Sequence, residues 1–155
     1  MSSDTETPTV RVYTAEDLMD ETASPRVGDV IQIGDVRSTY GGTYTFASTA
    51  DFANVIGSSS DPKVDGLAWI NLWKRTYPGV SVTECSSLDF PTGFQCTTNF
   101  VGGHVILGQT ASMVAQGSNS VYIIPICQKH NKNNGVYMMP ITEGRAVRLN
   151  NYLKQ

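Results

Sequence analysis

The residues most able to do chemistry are three cysteines and two histidines, Cys85, Cys96, Cys127, His104 and His130, all inside positions 85–130. Cys127-Gln128-Lys129-His130 has the spacing of a Cys-x-x-His knuckle. Two residues between the ligands let one tight turn aim a thiolate and an imidazole at the same ion, and zinc takes sulfur and nitrogen in a tetrahedral set of four. Cys85 and Cys96 are the other thiols, and the stretch between them, SSLDFPTGFQ, holds the Pro and Gly needed to fold back. The expected set is Cys85, Cys96, Cys127 and His130 around a structural zinc. Two other readings stand beside it: a Cys85–Cys96 disulfide with Cys127 left over, or three inert buried thiols. Lys129 beside Cys127 leaves a third use of that thiol, redox sensing, in view.

His104 lies in Phe100-Val-Gly-Gly-His-Val-Ile. Glycines before a histidine let the backbone turn sharply and leave the imidazole reachable, which suits a general base. The competing reading is a histidine that serves packing.

The run from His104 through Asn119 to Val121-Tyr-Ile-Ile-Pro-Ile-Cys-Gln-Lys-His-Asn131 resembles the core of the His-Asn-His (HNH, ββα-metal) endonuclease family. It is also similar to small bacterial proteins that combine a Trp helix, two cysteines, Gly-Ala-His-Val and Pro-Leu-Cys-x-x-His-Asn. The resemblance covers about residues 65–150. It implies a treble-clef-like zinc site held by the two cysteine pairs, with His130 as the fourth ligand. It also implies His104 as the general base, Asn119 as the residue that orients it, and Asn131 where the family has a metal-binding histidine. Two departures matter for catalysis. Gly103 and Asn131 stand at ligand positions, and phosphodiester cleavage by this scheme needs a metal ion as Lewis acid. Asp89 and Glu143 are the carboxylates that would have to substitute. The expectation is therefore a non-enzymatic binding module on a zinc-stabilised HNH-like core, its ligand a glycan, a protein or nucleic acid. The alternative is a metal-dependent nuclease that uses His104.

These residues need elements to position them. Val27–Val36 reads as a strand between Gly-Asp pairs, and TYGGTYTF over Thr39–Phe46 reads as a hairpin turning at Gly41-Gly42. Ser48 is placed to cap a short helix over Thr49–Ile56, and Glu16–Glu21 suits a helical turn. Asp65 starts a helix that runs through Tyr77, where Trp69, Ile70, Trp73 and Tyr77 form one apolar stripe. The stripe should bury against VYIIPI, Val121–Ile126, the most apolar segment of the chain. Val105–Leu107 and Val136–Met139 read as short strands, Gly108–Ser120 as a polar loop, and Glu143–Leu153 fits either strand or helix. The fold class expected is α+β: N-terminal β-hairpins and short helices packed, as the resemblance implies, on a C-terminal ββα-metal-like core with a zinc knuckle. Residues 1–10 read as a tail and 11–155 as one domain.

The 155 residues are 40% hydrophobic and 16% charged, enough apolar content for a packed core. No apolar run is long enough for a membrane helix, and MSSDTETPTV has neither the basic start nor the apolar stretch of an export signal. The expected compartment is therefore cytoplasmic. Net charge is −3, unevenly spread: residues 1–84 carry 6 Lys and Arg against 12 Asp and Glu, and residues 85–155 carry 5 against 2. The basic second half favours a polyanion locally.

Overall fold

The structure is a computed structural model that describes residues 10–47, 50–56, 62–80, 87–89, 94–95, 100–127, 138–140 and 144–154. Its centre is one mixed sheet of seven strands. In chain order the elements are β1 (Val12–Thr14), a 3-10 turn (Asp17–Met19), β2 (Val30–Ile33), β3 (Val36–Phe46), β4 (Phe52–Asn54), α1 (Pro62–Thr76), β5 (Ser87–Asp89), β6 (Phe94–Gln95), β7 (Phe100–Leu107), β8 (Val121–Cys127), β9 (Met139–Pro140) and β10 (Gly144–Lys154). The large sheet has the order β1-β2-β3-β10-β8-β7-β4, and a small one has the order β6-β5-β9. Among the described strands of the large sheet only β1 and β2 pair in parallel.

This architecture corrects the expected fold. Instead of N-terminal hairpins and short helices resting on a separate ββα-metal core, strands from both halves of the chain interleave in a single sheet. β3 pairs along its length with β10, which then pairs with β8. The physical reason is visible at Gly41-Gly42. The pair does not turn the chain. β3 runs straight through it, and the register passes from Tyr40–Leu149 to Thr43–Val147, so β3 carries one extra residue there. Gly42 has φ 84°, the left-handed conformation that a β-bulge of this kind assigns to glycine. The same two glycines suit a hairpin or a bulge, and a partner strand about a hundred residues away in the chain selects the bulge. A second correction concerns Phe52–Asn54. These residues form β4 rather than a helix, because they pair with Leu107, Ile106 and Val105 at the end of β7.

The bulge also switches faces. Val36, Ser38 and Tyr40 are buried on the side of α1, whereas Tyr44 and Phe46 lie on the other side, with Tyr122. β10 has a matching irregularity, where Asn151 takes φ 49° and adds one residue between Asn150–Thr39 and Leu153–Arg37. That keeps Leu149 and Tyr152 together on the helix side.

α1 forms as the apolar stripe requires. Trp69, Ile70 and Trp73 are buried. Trp69 and Trp73 share a core with Val121 and Ile123 of β8 and with Ile31, Val36 and Leu149. Tyr77, half-buried past the helix end, donates its hydroxyl to the carbonyl of Ala146 at 2.7 Å. Trp73 Nε1 donates to the carbonyl of Arg145 at 2.9 Å. On the opposite face a second cluster gathers Phe46, Phe52, Val105, Tyr122, Ile124, Ile126 and Met138. β8 is thus buried on both faces, which is why it reads as an unbroken apolar run.

Candidate functional site

Of the residues singled out in the sequence, Cys85, Cys96, His130 and Asn131 lie outside the described residues, as does Glu143. Cys127 is described. It is the last residue of β8, paired with Phe100, and it packs in the apolar cluster of Phe46, Phe52 and Ile126. The zinc-stabilised, HNH-like reading gains no support here: among the described residues no group of three or more His, Cys, Asp or Glu is placed to hold a metal ion, and Cys85, Cys96 and His130 lie outside them. The strand that buries Cys127 continues to the point where a knuckle turn was expected to begin.

His104 stands in the middle of β7, opposite Ile123. It is 2% exposed. The Trp69 ring meets it edge-on at 4.4 Å between centroids, and the Tyr152 ring lies at 5.8 Å. The preceding glycines do not make a sharp turn. A Cβ on Gly102 would fall 2.5 Å from the Ile70 nitrogen and from the Trp69 carbonyl carbon. Gly102 therefore lets α1 lie directly on β7, and that close approach seals His104 inside. Asn119 is exposed and serves β10: its Oδ1 accepts the Asn151 amide at 3.0 Å, and its carbonyl accepts Arg148 Nε at 3.2 Å. It braces the strand irregularity at Asn151, on a surface loop, rather than orienting the buried His104.

What the sheet does present is a half-face that no described helix covers. Register places Val30, Gln32, Arg37, Thr39, Arg148 and Asn150 on the side away from α1, on β2, β3 and β10. Gln32 and Arg37 are exposed, and the others are half-buried. At the inner border of this surface the half-buried Tyr44 ring lies 4.5 Å from that of Tyr122, tilted by 37°. Tyr122 pairs with Arg148 across β8 and β10. Burial pushes the Tyr122 phenol up, the neighbouring Tyr44 adds to this, and Arg148 opposes it. The close packing of Arg148 and Asn150 against β3 depends on Gly41. A Cβ there would meet the Arg148 carbonyl oxygen at 2.9 Å and the Asn150 amide nitrogen at 3.0 Å.

The electrostatics of this face follow from composition. The seven strands of the large sheet contain no Asp or Glu, while Arg37, Arg145, Arg148 and Lys154 all lie in them. Acidic residues sit in the connections instead. Asp29 is buried, with its two oxygens accepting the amides of Arg11 at 3.2 Å and Arg26 at 2.9 Å. Asp17 accepts the Thr14 amide, and Asp20 the Thr22 amide, each at 2.9 Å. The sequence reading noticed the basic second half but missed the site residues Arg37, Tyr44, Arg148 and Asn150. The absence of carboxylates from the β-prone segments was the available signal.

No family model matches the chain, and neither does any curated protein or solved structure with which it was compared. Among the described residues no helix is long and apolar enough to cross a membrane.

Proposed function

We propose that this protein is a non-enzymatic binding module whose open face on β2, β3 and β10 takes an extended anionic ligand. One observation carries the reading: a seven-stranded sheet whose strands hold no carboxylate places two arginines, Arg37 and Arg148, on the half that faces away from α1. Fixed cations on strands that carry no carboxylate create a local positive potential even where net charge is negative. The hydrolytic alternative has less support, because His104 is 2% exposed beneath α1 and an imidazole so placed does not reach a substrate. The test is retention on a heparin column at low salt. A chain of net charge −3 is repelled by a polyanion unless a local patch holds it. The wild type should be retained and should elute as salt is raised, and the Arg37→Gln/Arg148→Gln double variant should flow through. Flow-through of the wild type, or equal retention of both, would overturn the reading.

A further inference from the structure

We infer that the extended anion is a single-stranded nucleic acid, laid across β2, β3 and β10 with one base stacked on Tyr44. This rests on the binding-module reading and names its ligand. Three features of the face converge on it. The first is shape. On β2, β3 and β10 the proposed surface is built from neighbouring strands, and a single strand lies flat on such a platform.

The second feature is the spacing of charge. Arg37 and Arg148 are four positions apart along the strand direction once the bulge is counted, and on neighbouring strands. At sheet dimensions this separates their backbones by about 14 Å. Two cations so far apart do not chelate one small anion. They suit a chain that repeats its charge.

The third feature is the partner chemistry between and beside the arginines. Tyr44 is half-buried, its ring held in place by those of Tyr122 and Phe46. Thr39, Gln32 and Asn150 offer hydroxyl and amide groups for base edges. An aromatic platform beside cations that track a backbone is how sequence-tolerant single-strand binding is built.

The experiment is fluorescence anisotropy of the full chain with three probes: labelled dT20, a 20-base-pair duplex, and a heparin oligosaccharide of similar charge. The single strand should bind at least about tenfold more tightly than the duplex. Tyr44→Ala should weaken dT20 binding by roughly fivefold or more, while Tyr44→Phe should retain it, which separates stacking from the hydroxyl. Arg37→Gln and Arg148→Gln should each flatten the plot of log affinity against log salt by about 0.7. Arg37 is exposed, so its variant reports on binding without disturbing the core. Binding of heparin with no binding of dT20, or equal binding of duplex and single strand, overturns the inference and leaves the anion-binding reading standing. Binding of none of the three overturns both.

Discussion

Gly102 of β7 and Trp69 of α1 meet backbone to backbone: a methyl group on the glycine would fall 2.5 Å from the Trp69 carbonyl carbon and 2.8 Å from its Cβ. Neither neighbour is the far end of a flexible side chain, so the helix itself would have to lift. Overpacking of a core typically costs about 1–3 kcal/mol and occasionally more. Gly102→Ala should lie at the upper end of that range. Urea denaturation of the two proteins checks it, and a loss under about 1 kcal/mol would mean that α1 does not rest on β7 as described.

Trp69 is 1% exposed and caps both His104 and the apolar face of β8. Trp69→Ala should cost about 3–5 kcal/mol. Because helix and sheet share this core, loss of near-ultraviolet circular dichroism and loss of secondary structure should coincide on heating.

At Gly42 the constraint lies in the backbone first, since the one close contact of an added Cβ, 3.0 Å to Val27 Cγ2, is with the end of a side chain. Its φ of 84° penalises any side chain, and Asn tolerates this region better than other residues. Gly42→Val should destabilise by at least about 1–2 kcal/mol, and Gly42→Asn by clearly less. Equal costs for the two variants would show that the bulge is not maintained.

The Tyr152 phenol is pushed up to about 12 by burial, with Asp35 adding to the effect. The neutral form is favoured in the folded state. Its contribution to stability is therefore complete below the ordinary phenol value near 10 and is lost as pH rises from about 10 to about 12. Burial also raises Tyr40 and Tyr77, so alkaline unfolding should begin in the same range. Tyr152→Phe should flatten the fall in melting temperature between about pH 9.5 and about pH 11.5, a range that covers most of that rise. The Tyr152 hydroxyl has no hydrogen-bond partner among the described residues, so the variant should be at least as stable as the wild type at pH 7.

Legibility in the sequence followed locality. The stripe of Trp69, Ile70 and Trp73 marked α1, and VYIIPIC marked the buried strand β8, because each pattern lies within one element. Gly41-Gly42 of β3 suits a hairpin and β4 suits a helix by residue type alone, but their conformations are set by β10 and β7. The open face suffered the same way. Arg37 and Arg148 come from opposite halves of the chain and share a surface only through the β3–β10 pairing. The cysteine and histidine cluster was conspicuous by composition, but His104 proved to be a core residue, because Gly102 brings a helix over it.

The position of β10 between β3 and β8 has a consequence for synthesis of the chain. A ribosome adds about 5–20 residues per second, so β3 waits on the order of ten seconds for its partner. During that interval β1, β2 and β3 can associate, but the outer edge of β3 is bare, and a bare edge recruits other nascent chains. Arg37 and the Gly41-Gly42 pair lie on that edge. A charge and two poor strand formers make it an unattractive template, so the residues that shape the mature surface also guard the half-made sheet.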